Sequence, residues 1–380
     1  MTEQIFTNAR VVLRDEVIDG TVVVKDALIE QVDAGRSNVV GAYDLDGAYL
    51  APGMVELHTD NLERHMQPRP GVKWPLQAAV MAHDAELASV GITTVFDAMR
   101  VGSIVSDKRA RYDKYARTVV DHILRLRADH KLRISHFLHL RAEICTETLP
   151  QELAEFSPED RIGIVSLMDH TPGQRQFRDL SKMAEYLTGK YGMGEDAIQA
   201  HFDRLYALQD EFGERHQKAA VDAGRWLGAV MASHDDTTLE EVGKSIEVGV
   251  KLAEFPTTLE AAETSHKAGL AVIMGAPNLL RGGSHSGNVA ASTLIKHGFL
   301  DILSSDYAPS SLLMAAVRHG LESGDMASGL RMVASHPAEA VGLEDRGEIA
   351  VGRRADLIVF DLVDEFPSVH QTWVQGSRAA

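Results

Sequence analysis

The chain has 380 residues, 44% of them hydrophobic, with 38 Lys plus Arg against 55 Asp plus Glu and a net charge of −17. That balance argues against a nucleic-acid partner, which calls for a basic face, but leaves room for an anionic small substrate in a locally positive pocket. One cysteine, Cys145, rules out a disulfide framework within the chain, and neither a signal core nor an apolar run near the roughly 18 residues of a membrane span occurs, so a cytoplasmic protein with no membrane partner is expected.

Residues 1–52 read as short strands and turns: QIFTNARVVL, GTVVVKDALIEQVDA and AYDLDGAYLAP, with the alternation and Val/Ile content of strands. From Gly53 the texture changes. Apolar, β-branched segments alternate with helical patterns such as PLQAAVMAHDAELASV and KYARTVVDHILRLRADH. The strand candidates are 53–58, 91–98, 133–140, 162–169, 227–233, 247–255, 270–276 and 301–306. Eight such units predict an α/β fold, a (β/α)8 TIM-type barrel over residues 53–342. The longest insert, 171–225, is polar and helical in pattern and is expected to cover the site. GEIAVGRRADLIVFDL, 347–362, returns to the β texture, so 343–380 should join 1–52 in a small β domain made from both termini.

In such a barrel the active site lies at the C-terminal strand ends. Strand one ends in His58, Thr59, Asp60 and Asn61, and strand three in His139, Arg141 and Glu143. Strand four ends in Asp169 and His170, strand five in Ser233, His234, Asp235 and Asp236, and strand eight in Asp306. Taken singly, His58, His170 or His234 would pass for a structural histidine, and Asp306 for a helix cap. Their recurrence at one rim points instead to a metal site, since imidazole with carboxylate suits zinc, manganese, iron or nickel. His58 and Asp60, two apart on a strand, point to one side. Glu143 is placed to bridge two cations, and Asp306 to ligate and to accept a proton from water. Asp235 and Asp236 read as caps of the helix TTLEEVGKSIE, and His83 as an ordinary helical histidine. No GxxxxGK[ST] loop occurs, which speaks against kinase-like chemistry.

The segments APGMVELH, a late SSD and GEIAVGRRADLIVFD resemble the amidohydrolase superfamily, whose first metal motif is usually His-x-His; here Asp60 takes the second place. Its bridging carboxylated lysine has no clear counterpart, and Glu143 is the substitute. The longer motifs HTDNLERHMQPRPGVKWP and PNLLRGGSHSGN resemble one branch, diphosphatases acting on a ribose 5-triphosphate that carries methylphosphonate at C1. The resemblance implies release of pyrophosphate by hydroxide attack on the innermost phosphorus, with Asp306 as the catalytic group. It implies two divalent ions, zinc being the expected metal, held by His58, Asp60, Glu143, His170, His234 and Asp306. Asn61, Arg64, His65, Arg281, Ser284, His285 and Asn288 become candidates for contact with the small anionic substrate, and a homo-oligomer, such as a dimer, is expected. The competing expectation is a relative that cuts a C–N bond in a cyclic amide, an N-acyl amino acid or an aminated base.

Overall fold

The computed structural model describes residues 3–69, 71–105, 114–284 and 286–380. Pro52 ends the strand Tyr49–Pro52 of one sheet, and Met54–Thr59 of a second sheet follows at once. The second sheet is the barrel. Its strands, first to eighth, are Met54–Thr59, Ile92–Val101, Ser135–Glu143, Ile162–Met168, Val230–His234, Leu252–Glu254, Ala271–Gly275 and Ile302–Ser304. They pair in chain order, all parallel.

The last strand meets the first at the rim. Thr59 and Asp306 form a parallel bridge, with Asp60 N donating to Asp306 O at 2.8 Å. Lower down, Met332 and Val333 fill the seam: Leu303 N donates to Met332 O at 3.0 Å and Val55 N to Val333 O at 2.9 Å. The interior holds Val55, Leu57, Phe96, Ile164, Ala232, Leu252, Ile273 and Ile302, alternate residues of successive strands. Each of the eight segments expected from the sequence overlaps one barrel strand. The sixth is much shorter than expected, because the helix Leu239–Val248 runs into that segment and Gly249, at φ +89°, ends it.

The other sheet draws on both termini, as the sequence texture implied. Its order is Ser377–Arg378, Phe366–Val374, Leu357–Val363, Tyr49–Pro52, Glu3–Val12, Val17–Lys25 and Leu28–Ala34, with Tyr43–Asp44 beside Glu3–Val12. The insert is helical, comprising Leu180–Tyr191 and Glu195–Leu227. Among the described residues no helix is long and apolar enough to cross a membrane.

Helices Ser311–Ser323 and Met326–Arg331 approach backbone to backbone at Gly329, where a Cβ would lie 2.1 Å from Ala316 O. Neither side of that contact is a flexible side chain. Gly329→Ala is therefore expected to destabilise the fold by roughly 2 kcal/mol, an overpacking cost, read as a lower denaturation midpoint with an unchanged slope.

Candidate active site

The rim is built on a buried carboxylate the sequence reading left without a role. Glu56 is fully buried in the first strand. Its Oε1 accepts from His58 N at 2.7 Å and Ser304 Oγ at 2.6 Å, and its Oε2 from Ser305 N at 2.6 Å. One side chain thus ties the first strand to the eighth, fixing where His58 and Asp306 stand. Asp306 itself takes a left-handed backbone, φ +54°, just after the eighth strand.

Around this seam, imidazoles and carboxylates gather in two adjoining groups, His58 with His139 and Glu254, and His170 with His234 and Asp235. In each, one ligand atom per residue lies within 4.8 Å of the others. His58 Nδ1 is 3.0 Å from Glu254 Oε1, and His139 Nε2 is 3.8 Å from Glu254 Oε2. His170 Nδ1 is 2.5 Å from Glu143 Oε1, and His234 Nδ1 is 2.5 Å from Asp235 Oδ2. The groups touch through His234, whose ring centroid is 5.6 Å from that of His58 and 6.1 Å from that of His170. Asp60 joins from the first strand end, its Oδ1 3.9 Å from His58 Nε2 and accepting from Arg141.

The electrostatics follow from crowding in a dry place. Burial raises the Glu254 carboxyl, but His139 and His58 outweigh it and hold it near 2. Burial pulls His139 down to about 4, keeping it neutral. Burial, with Asp60 close by, pushes Asp306 up to about 7. Such a set is short of cations. Glu254 Oε2 is also buried without a hydrogen-bond partner among the described residues, which is costly unless something charged meets it. The donors are imidazole nitrogens and carboxylate oxygens. Divalent ions therefore fit.

The structure brings together the six expected ligands' strand ends: Glu143 closes the third strand, His170 follows the fourth and His234 closes the fifth. Glu254, on the sixth, went unread; a glutamate in a near-apolar segment was its signal. His139, on the third strand but outside the expected ligand set, is fully buried with Nε2 2.9 Å from Ser166 Oγ. Asp235 and Asp236 do not cap the following helix. Thr238 does, in a capping box with Glu241. Asp235 instead meets His234, and Asp236 receives Arg175 Nη1 at 2.9 Å.

The loop candidates land differently. Asn61 Nδ2 and His65 Nε2 reach Glu86 Oε2 at 3.0 and 2.7 Å, and Arg64 Nη2 donates to Glu86 Oε1 at 2.5 Å. Those donors are committed to the helix Leu76–Ser89, away from an incoming anion. Arg281 ends the helix Ala276–Arg281 and is exposed. Ser284 Oγ accepts from Ser286 N at 3.0 Å, and Asn288 Nδ2 donates to Gln176 O at 3.2 Å. His285 lies outside the described residues. The insert reaches the rim through Arg175, whose Nη1 donates to His234 O at 2.7 Å.

His83 is not the ordinary helical histidine expected. It is fully buried, Nδ1 3.0 Å from Asn61 Nδ2 and Nε2 2.8 Å from Asp97 Oδ1. Asp97 Oδ2 continues to His136 Nδ1 at 2.7 Å, and His136 Nε2 to Asp84 Oδ1 at 3.3 Å. A buried polar chain thus runs from the residue after Asp60 away from the rim.

Glu254→Gln would keep the shape and remove the charge facing His58. It is expected to weaken divalent-metal retention at least about tenfold, read by elemental analysis after dialysis at fixed free zinc. Full retention would remove Glu254 from the ion site.

Residues 197–380 match the sequence profile of the amidohydrolase family. The chain is 40% identical over 377 residues to the alpha-D-ribose 1-methylphosphonate 5-triphosphate diphosphatase of Escherichia coli K12, covering 98% of this chain and 99% of that protein. An adenine deaminase of Ligilactobacillus salivarius is 23% identical over 380 residues, covering 98% of this chain but 57% of that protein. The crystal structure of N-acetylglucosamine-6-phosphate deacetylase from Pasteurella multocida shares the fold, with a TM-score of 0.60, 15% identity and 99% of each chain covered. End-to-end identity at that level, on a barrel whose rim carries imidazoles and carboxylates, establishes that the chain belongs to the amidohydrolase family, in the group of the Escherichia coli diphosphatase.

Proposed function

We propose that this protein hydrolyses alpha-D-ribose 1-methylphosphonate 5-triphosphate to the 5-phosphate and pyrophosphate, as a metal-dependent phosphoric-anhydride hydrolase of phosphonate breakdown. The observation that carries the reading is the 40% identity to the Escherichia coli diphosphatase across 98% of this chain and 99% of that one. Two adenine deaminases, relatives named for C–N chemistry, match far less closely, at 23% and 24% identity over 57% and 56% of their lengths.

The amidohydrolase family is metal-dependent, and this rim has the donors for it. His58, Asp60, Glu143, His170, His234 and Asp306 would hold two divalent ions, zinc being our choice, with His139 and Glu254 supporting from the barrel wall. Ions held there would polarise phosphoryl oxygens and ease ionisation of water. The chain supplies the rest. Asp306, buried at the seam between the first and eighth strands, would take the proton of the attacking water. Glu56 and Ser304 fix the backbone on which His58 and Asp306 stand. The barrel wall around Leu57, Ile273 and Ile302 keeps bulk water from below.

We further propose a cytoplasmic homo-oligomer, such as a dimer, with the small domain at 1–52 plus 343–380 and the barrel at 53–342. The small sheet's strand Tyr49–Pro52 giving way directly to the first barrel strand supports that boundary.

Phosphorus NMR of the metal-loaded protein with the triphosphate tests the reaction. Pyrophosphate with the ribose 5-phosphate is the expected pair of products. Single phosphate would move the attacked phosphorus outward. No phosphorus change with metal bound would end the diphosphatase reading and send the search to cyclic amides and amino-bases.

A further inference from the structure

We propose that Arg141 is the residue that recognises the anion, its guanidinium taking nonbridging oxygens of the bound triphosphate. The inference rests on the diphosphatase reading for the identity of the substrate.

His139, Arg141 and Glu143 alternate along the third strand, so their side chains share the face that looks into the site. The Arg141 side chain is only 14% exposed. Its Nη1 donates to Asp60 Oδ1, and its Nε to Met168 Sδ at 3.3 Å. A thioether is a weak acceptor. Nη2 has no hydrogen-bond acceptor among the described residues. A charged donor edge is thus held among Asp60, Glu63 and Glu143, which keep it cationic, with hydrogen-bonding capacity still to spend.

The other described arginines near the rim are bound to other groups or stand outside it. Arg64 is bound to Glu86, Arg175 Nη1 serves His234 O and Asp236, and Arg281 stands exposed at a helix end. Arg100 pairs in register with Arg141 on the second strand, but its Nη1 donates to Gly102 O and its guanidinium lies over the Tyr115 ring. Among the described residues, Arg141 is therefore the cation seated between the candidate ligands. Two divalent ions would offset much of the charge of Asp60, Glu143, Glu254 and Asp306, and in a chain of net charge −17 a fixed side-chain cation beside them adds a directional contact for the triphosphate. The planar guanidinium fork matches two phosphate oxygens at once, which a lysine ammonium does not.

In the reaction, the water oxygen forms a bond to the innermost phosphorus while the bond from that phosphorus to the bridging oxygen breaks. The bridging oxygen leaves with pyrophosphate, and the water proton passes to Asp306. Arg141 neither gives nor takes a proton. It holds the oxygens on which charge gathers, a role whose loss costs about 10²-fold or more in rate.

The test uses metal-loaded wild type, Arg141→Gln and Arg141→Lys. It measures pyrophosphate affinity by calorimetry, bound metal by elemental analysis, and kcat and KM with the triphosphate. Arg141→Gln is expected to weaken pyrophosphate binding at least about tenfold and to lower kcat/KM about 10²-fold, with bound metal unchanged. Arg141→Lys keeps the charge and loses the fork, so it should fall between; if the Gln variant does not fold, the Lys variant alone decides. Unchanged pyrophosphate affinity overturns the proposal, and so does a fall in bound metal that accounts for the whole loss, since Arg141 would then only orient Asp60. Wild type that binds pyrophosphate through Arg141 yet leaves the triphosphate intact would sink the substrate reading and keep the anion site.

Discussion

Asp306→Asn is expected to lower kcat by about three orders of magnitude while the protein still folds and still binds pyrophosphate. A positioned general base is worth roughly 10²–10⁴-fold, and an amide cannot accept the proton. The fold should survive because main-chain bonds, not the carboxylate, hold this residue in place. Asp306 is placed by main-chain bonds, its N–H to His58 O at 3.2 Å and its carbonyl from Asp60 N at 2.8 Å, and an amide side chain leaves both intact. Burial and Asp60 raise the carboxyl from 3.8 to about 7 in the metal-free protein, so the fold disfavours the ionised form. The sign follows: this group adds stability as pH falls from about 7 toward 4 and costs stability above it. At pH 8 the metal-free Asn variant should melt no lower than wild type. Single-turnover kinetics with a thermal melt at pH 8 checks both parts, and turnover within tenfold of wild type would remove Asp306 from the proton transfer.

The barrel was readable because parallel strands covered by helices on the outside and by each other within are apolar nearly throughout, and eight such runs stood out against amphipathic helices. His58, Glu143, His170 and His234 stood out as polar groups at or just past the ends of those runs. Glu254 escaped because its strand is three residues long and was drawn as nine, which left the glutamate inside the segment instead of at its end. Asn61, Arg64 and His65 misled through proximity in sequence. Directly after Asp60 the chain winds into the short helix Asn61–Met66, and residues three and four apart there face the neighbouring helix and Glu86. The caps were misjudged because Asp235 and Asp236 precede Thr238, and the Thr-x-x-Glu box outcompetes them for the free backbone N–H groups. Helical periodicity marked His83 as one residue among many. It cannot show that this face meets Asp97, which is eleven residues beyond Glu86 in sequence and on another element.

The chain through His83, Asp97, His136 and Asp84 carries the largest stability effect expected of a single substitution. Asp97 is fully buried and accepts from two imidazoles, one on each oxygen. Burial pushes it up, but His136 and His83 outweigh that and hold it far below the usual carboxylate range. His136 lies between Asp97 and Asp84; burial lowers it, the two carboxylates outweigh burial, and it rises from 6.5 to about 9. His83, on the other side, is held down by burial and stays neutral. Asp97→Ala leaves an imidazolium facing a void, and removing one partner of a buried pair typically costs about 3–5 kcal/mol. The pH dependence separates this from a packing defect. With its pKa raised in the fold, His136 contributes stability in full below pH 6.5 and loses it as pH climbs through about 9, a fall of roughly 3 kcal/mol. Asp97, depressed in the fold, contributes above pH 3.8 and loses it as pH falls further. Metal-free wild type should therefore weaken between pH 6.5 and 9. Asp97→Ala should start lower and weaken less over the same span, because His136 has lost the nearer of its two carboxylates. Denaturant unfolding of both proteins at the two pH values measures the difference. Equal slopes would mean that His136 is not charged in the fold and that the chain is held by neutral hydrogen bonds alone.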